Sequence, residues 1–311
     1  MTDKFQNAYV SMTKDGYYAL ELLLKNKKRI DEIISLPEDK SSNVCDYINF
    51  EPLAKKFGVK ITYKKDINGL TGRFRQNRPN VIIVNGWSQL LKKDLLDTAV
   101  NGCVGTHPAL LPKNRGRAPI AWHFINNEEY GGVTLFYLEA TCDSGPIIDQ
   151  VRFKIKANDN ASSYYQKITD LGAKLLLKHF DSIVSGSAIN KAKPQDHTKA
   201  TYLLKRRPID SEIDFSAKSA KEIHNMVRAV DNIYPLANFS YKKQKFLILK
   251  SNLPAHAPRF SGVPGQVAKV TNDYIWILGK NDIIEFNTVL NNKRERVKLN
   301  KTFKTGDVLN E

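Results

Sequence analysis

The chain has 311 residues, 41% hydrophobic and 26% charged, enough to bury a large core and too apolar for extended disorder. No apolar run approaches the roughly 18 residues of a membrane span. The first residues are polar and the three cysteines (Cys45, Cys103, Cys142) lack zinc-type spacing, so a soluble, cytoplasmic, two-domain protein with no membrane or metal partner is expected.

A net charge of +16 suits anionic partners, whether nucleic acid, phosphorylated small molecules or polyglutamylated cofactors. A solvated lysine surface gives the same figure, and the short basic clusters at 25–29 and 242–245 are dispersed.

In chain order, Tyr9 to Met12 reads as a first strand, and Gly16 opens a helical pattern with Leu20, Leu23 and Leu24 on one face. A second strand is expected around Ile33 and Ile34, a helix over Glu51 to Phe57 ended by Gly58, and a strand over Val59 to Tyr63. Val81 to Val84 is a continuous β-branched run of the kind parallel sheets bury. It ends at Asn85-Gly86-Trp87-Ser88, and Gln89 to Asp97 reads as a helix. Ligands of open α/β sheets sit beyond the carboxyl ends of strands, so that turn is a candidate pocket wall.

Gly102 to Thr106 follows as a strand, Pro119 starts a helix through Trp122 and Phe124, and Gly132 to Leu138 is a further strand. Ser162 to Val184 is a long amphipathic helix with Tyr164, Ile168, Leu171 and Leu175 on one stripe. Gly186 to Lys205 has little periodicity and reads as a linker, followed by a helix near Ala217 to Val230 with Ser216 as its cap. Four strand-like runs then occupy 245–250, 265–270, 274–278 and 283–288, as in a small β-barrel. The fold class is α/β: a Rossmann-like N-terminal domain over 1–190, a linker over 191–210, and a helix with an OB-like β domain over 211–311.

The stretch from Gly102 to Gln150 carries the chemistry. His107 follows a strand and precedes a proline-bounded loop, where an imidazole faces a cleft and suits proton transfer from an amine. Asp143 follows a second strand, and a carboxylate beside that ring orients it and favours its charged form. Taken alone, an isolated His and Asp are more often structural than a catalytic pair. Cys142 is a thiol with no nucleophile motif around it and reads as packing. Arg115 and Arg117 suit either a bidentate phosphate clamp or structural ion pairs. No Gly-rich phosphate loop, His-Glu-x-x-His or Cys-x-x-Cys occurs.

The runs Gly105-Thr106-His107-Pro108-Ala109-Leu110-Leu111-Pro112, Arg115-Gly116-Arg117-Ala118-Pro119-Ile120, Gly132-Val133-Thr134-Leu135 and Asp143-Ser144-Gly145 resemble the signature of the folate-dependent formyltransferase family. His107 and Asp143 stand 36 residues apart, as that family's catalytic pair does, and Arg206 to Asp210, Ile213 to Phe215 and Tyr234-Pro235 extend the likeness downstream. The resemblance implies a formyl transfer from N10-formyltetrahydrofolate, with His107 and Asp143 catalytic. It places Gly86, Trp87, Ser88, Gln89, Leu90, Thr141, Cys142 and Gly145 on the folate, and Arg115, Gly116, Arg117 and Pro119 on the acceptor. Trp87 reads as either pocket wall or core packing.

Three positions depart from the family pattern. Its formyl-polarising asparagine is Gly105, its serine is Ala109, and its second aspartate is Pro146. A backbone N–H at Gly105, or the side chains of Asn85, Asn101 or Asn114, are the candidate replacements. The region from Ser35 to Phe50 carries Glu38, Asp39, Ser41, Ser42 and Asp46, a poor clamp for RNA. Arg115-Gly116-Arg117-Ala118-Pro119 is similar to the sugar-modifying branch. A nucleotide-linked amino sugar of a surface polysaccharide is therefore the expected acceptor, with charged initiator tRNA and a catalytically weak folate- or nucleotide-binding relative as the alternatives. The C-terminal domain is expected to serve as scaffold, homodimer surface or nucleotide contact.

Overall fold

The computed structural model describes residues 7–231 and 234–310. Residues 1–6, part of the polar start of the chain, lie outside the described residues. The described chain forms two compact units, one from residues up to Pro119 with Tyr130–Ile155 and Tyr165–Leu204, the other from Ile120–Glu129, Lys156–Tyr164 and Lys205 onward.

In the first unit, strands β1 (Asn7–Val10), β2 (Glu32–Ser35), β3 (Lys60–Tyr63), β4 (Val81–Val84) and β5 (Cys103–His107) are parallel neighbours in the order β3-β2-β1-β4-β5. The β-branched runs account for this: all four residues of β4 are nearly or wholly buried, each contributing about 1.5–3 kcal/mol. Helices α1 (Lys14–Lys25), α2 (Glu51–Phe57), α3 (Thr71–Asn77) and α4 (Lys93–Leu96) lie between these strands in sequence. Gly58 ends α2 in the left-handed region at φ 66°.

The strand order reverses between β1 and β4, so the crevice for a ligand opens at their carboxyl ends. A two-residue strand β6 (Arg115–Gly116) and α5 (Pro119–Ile125) follow β5 in the chain. Strands β7 (Tyr130–Tyr137) and β8 (Ile147–Lys154) then extend the sheet antiparallel, His107 standing opposite Thr134. The long helix α6 spans Ala161–Val184.

The structure corrects two expectations in this unit and adds one strand. The helix expected from Gln89 shrinks to α4, because residues 87–92 form a loop whose polar groups bind residues 67–68 instead of a helical ladder. Strand β8 is an addition to the expected elements, its only signal the short apolar/polar alternation Val151-Arg152-Phe153-Lys154. The expected linker after Gly186 is folded: β9 (Tyr202–Leu203) pairs in parallel with β6.

The second unit centres on an antiparallel sheet of β10 (Ala237–Tyr241), β11 (Gln244–Asn252), β12 (Val267–Val270), β13 (Ile275–Leu278) and β14 (Ile283–Leu290), in the order β10-β11-β14-β13-β12. It curls around an aromatic core, where Phe239 stacks on Phe246 at 5.7 Å and on Phe286 at 6.1 Å, with Phe303 against Phe246 at 5.2 Å. Helix α7 (Ala220–Ala229) buries Ile223, Met226 and Val227, and a short α8 spans Leu299–Thr302. The cap of α7 is Ser219, not Ser216: Ser219 and Glu222 form a reciprocal capping box, while Ser216 hydrogen-bonds Asp214.

His224 on α7 contacts the Ser251 hydroxyl at 3.0 Å, and its pKa is lowered to about 4, by burial first and then by the Arg228 and Lys221 charges. Between pH 4 and about 6.5 the unfolded chain therefore binds the proton that the native ring refuses. This contribution is full above pH 6.5 and lost as pH falls through that window. Urea midpoints should thus drop more steeply from pH 6.5 to 4.5 in the wild type than in His224→Gln; parallel curves would refute the assignment.

Candidate active site

His107 is the last residue of β5, just outside the switch point, and is only 6% exposed. The chain beyond it folds back on itself. Thr134 on β7 donates its hydroxyl to the Ala109 carbonyl at 2.6 Å and receives the Leu111 amide at 3.2 Å. Gln150 on β8 donates to that same hydroxyl and to the Leu111 carbonyl, both at 2.8 Å. Held this way, the loop brings the carbonyl of Asn114, a residue with φ 60°, to 2.7 Å from His107 Nε2. Nε2 is thus the N–H side of the ring, since a carbonyl only accepts.

Nδ1 faces Asp143, with 3.6 Å to Oδ2. Asp143 is itself in the left-handed region at φ 49°, and the same Oδ2 accepts the Gly116 amide at 2.7 Å. A neutral ring therefore turns its Nδ1 lone pair toward a carboxylate, and one proton taken up between them converts that opposition into a charged hydrogen bond. Cys142 donates its thiol to Oδ2 at 3.4 Å. Burial, reinforced by that carboxylate, pushes the Cys142 thiol up to about 11, against a weaker opposite pull from Arg115 and Arg117. It packs beside the pair as a protonated donor.

Gly116 can reach Asp143 because it is glycine. Its φ is +105°, and a Cβ there would lie 2.5 Å from the Leu203 carbonyl oxygen. Gly145 is equally obligatory, since a Cβ would sit 2.0 Å from the Tyr137 oxygen.

Arg115 is not free to clamp a substrate. It is 1% exposed, and its guanidinium donates to Gln195 Oε1 at 2.6 and 3.2 Å and to the Tyr202 hydroxyl at 3.1 Å, with His197 Nδ1 also at 3.1 Å. Gln195 in turn donates to the carbonyls of Asp143 at 2.9 Å and Gly145 at 2.7 Å. Sequence reasoning missed Gln195, His197 and Tyr202 because they lie in the segment without periodicity. Arg117 remains exposed, with Nη1 3.4 Å from the Ser88 carbonyl, and Pro119 is buried.

The other candidates scatter. The Asn85 side chain is buried, receiving the Thr106 hydroxyl at 2.7 Å and hydrogen-bonded to Tyr9. Asn101 precedes β5, at the end of the strand opposite His107, and donates to the Val184 carbonyl. Asn114 serves His107 through its backbone. Gly105 is an interior strand residue between β4 and β7, so its amide lies in the sheet plane. Its side-chain direction is closed: a Cβ would stand 2.9 Å from the Val84 oxygen and 3.0 Å from Leu138 Cδ2.

After β4, Gly86 turns at φ 69°, Trp87 packs against the core that includes Val10, Leu91 and Leu95, and Gln89 accepts the Ile67 amide. Ser88, Leu90 and Thr141 are exposed.

The formyl transferase family model matches residues 50–180, and the model of the formyl transferase C-terminal domain matches residues 205–306. The chain belongs to the formyltransferase family. A methionyl-tRNA formyltransferase from Acetivibrio thermocellus is 30% identical over 262 residues, 82% of each chain. Among solved structures, WlaRD, a sugar 3N-formyl transferase crystallised with dTDP and 5-N-formyl-THF, matches with a TM-score of 0.67 and 22% identity, covering 91% of this formyltransferase and 97% of WlaRD. The N-formyltransferase from Helicobacter canadensis, solved with folinic acid and dTDP-3-aminofucose, gives the same TM-score and identity over 91% and 99% of the two chains.

Two outcomes follow for this formyltransferase. Gly116→Ala is expected to cost about 2 kcal/mol or more in unfolding free energy, since the position demands positive φ and close backbone approach; a neutral change would contradict the Gly116–Leu203 contact. At pH 8, mass spectrometry after iodoacetamide should find exposed Cys45 alkylated well before Cys142, and preferential labelling of Cys142 would contradict its raised pKa.

Proposed function

We propose that the chain moves the formyl group of N10-formyltetrahydrofolate onto the amine of a nucleotide-linked amino sugar, with His107 and Asp143 handling the proton. The observation that carries this reading is the approach of His107 Nδ1 to Asp143 Oδ2 at the carboxyl end of β5, with Nε2 fixed by the Asn114 carbonyl.

The amine nitrogen attacks the formyl carbon and the bond from that carbon to N10 breaks. One proton leaves the amine for His107 Nδ1, Asp143 holds the resulting imidazolium, and one proton is delivered to the departing N10. The loop after β4, with Gly86 turning at positive φ and Leu90 57% exposed, offers an apolar wall for the flat ring of the donor. With Gly105 closed in by Leu138, polarisation of the formyl oxygen falls to groups other than a side chain at that position.

The nucleotide-sugar acceptor is supported by the segment between β2 and α2. It carries Glu38, Asp39 and Asp46, pairs Lys40 with Asp39, and is pinned down where Tyr47 donates to the Leu36 carbonyl and Asp46 accepts the Tyr165 hydroxyl at 2.7 Å. An acidic, fastened loop is a poor grip for an acceptor stem. The solved sugar N-formyltransferases share the fold. The second reading, formyl transfer to charged initiator tRNA, is favoured by the 30% identical relative and by the +16 charge.

With N10-formyltetrahydrofolate as donor, a panel of dTDP-, UDP- and GDP-linked amino sugars and charged initiator tRNA separates the two. Folate release is expected with an amino sugar; release with tRNA alone, weakening steeply with salt, establishes the second reading. His107→Ala and Asp143→Asn should each lower kcat by about 100- to 10,000-fold while circular dichroism is unchanged. Near-normal turnover in His107→Ala excludes the proposed proton path.

A further inference from the structure

The C-terminal unit contains a cavity of about 570 Å³ that the chemistry above does not use. It lies between the connection from β11 to β12, the turn from β13 to β14, and the first turn of α7. The walls are pinned by backbone contacts. Asp282 Oδ1 accepts the Ala220 amide at 2.6 Å, Lys280 donates its amide to the Lys218 carbonyl at 3.0 Å, and Gly265 donates to the Leu278 carbonyl at 2.7 Å. Gly262 lies so close to the sheet that a Cβ would meet Leu278 Cδ1 at 2.7 Å. The space is therefore preformed, and its size is that of a small-molecule site.

Its lining has two chemistries. Leu253, Pro258, Leu278 and Ile283 contribute apolar side chains to a lining that is polar on balance, and Phe260, held edge-on to Trp276 at 6.2 Å and 80°, adds an aromatic ring. Lys221, Arg259 and Lys280 supply three cations. Among the described residues none of the three has a carboxylate within ion-pair distance, although the Lys280 charge acts on Glu222 from further away. The only acid in the lining, Asp282, is tied to the α7 amide.

We propose that this cavity is a nucleotide-binding site, taking the base against Phe260 and the apolar wall and the phosphates on Lys221, Arg259 and Lys280. An aromatic surface beside unpaired cations matches a ligand that is flat and apolar at one end and multiply anionic at the other. The site belongs wholly to the C-terminal unit and is independent of the donor and acceptor proposed above.

The test is calorimetric titration of the full chain with dTDP, ADP and pyrophosphate. Wild type should bind one equivalent of nucleotide more than the variant R259A/K280A, or bind it about tenfold or more tighter at that site. Phe260→Ala should weaken dTDP and ADP while leaving pyrophosphate unchanged. R259A/K280A should keep the wild-type circular dichroism spectrum and Tm, because both altered side chains are exposed, and Phe260→Ala should keep the spectrum. Equal nucleotide stoichiometry and affinity in wild type and R259A/K280A overturns the proposal. So does pyrophosphate binding as tightly as dTDP, which reduces the cavity to an anion patch. Loss of tRNA binding in R259A/K280A with nucleotide binding intact also overturns it, in favour of an RNA backbone. Because the readout compares the C-terminal variants with wild type, failure to find an amino-sugar substrate leaves it fully interpretable.

Discussion

The buried guanidinium of Arg115 is the constraint on which the site depends. A cation with 1% exposure must have its donors satisfied, and here Gln195, Tyr202 and His197 do so in place of a carboxylate. Those partners belong to the segment after α6, so satisfying one charge fastens that segment beside β6. Gln195 then reaches the carbonyls of Asp143 and Gly145, and Gly116, the next residue after Arg115, donates to the Asp143 carboxylate. The position of the carboxylate that faces His107 is thus set from both sides by one buried charge.

The imidazole is fixed by different means. Thr134 and Gln150 hold the loop that returns the Asn114 carbonyl to Nε2, and the sheet itself sets the direction of β5. The two supports join at β6 and β9: Asn114, which faces the ring, donates its amide to the Thr201 hydroxyl at 2.8 Å, and Gly116, which holds the carboxylate, is two residues further on, while ring and carboxylate face each other across the 3.6 Å gap. Proton transfer gains from such preorganisation, because neither partner has to be ordered when the charge appears. At Gly105 the same rigidity works the other way. Leu138 and the Val84 carbonyl fill the place of a side chain, so the departure from the family pattern is built into the packing of three strands.

The C-terminal unit is organised around aromatic stacking. Phe239, Phe246, Phe286 and Phe303 fill one face of a curled sheet, and its connections are left to build a preformed cavity beside α7. Three of the chain's 48 Lys and Arg residues, Lys221, Arg259 and Lys280, line that cavity.

Much of the fold could be read along the chain. The β-branched runs of β2, β3 and β4, the glycine that ends α2 and the stripe of α6 express local preferences that tertiary contacts did not override. The folded segment 186–205 was not legible, since side-chain-pinned loops leave no period, and β8 showed only in the short alternation Val151-Arg152-Phe153-Lys154. The sequence by itself determined the α/β class, the family and the residue types His107 and Asp143 with their spacing. Only the tertiary structure decided that Arg115 is buried, that the Gly116 amide holds Asp143, and that Asn85, Asn101 and Asn114 do not converge on one point. Pairing between residues dozens of positions apart depends on packing and hydrogen-bond satisfaction across strands, and no local pattern records it.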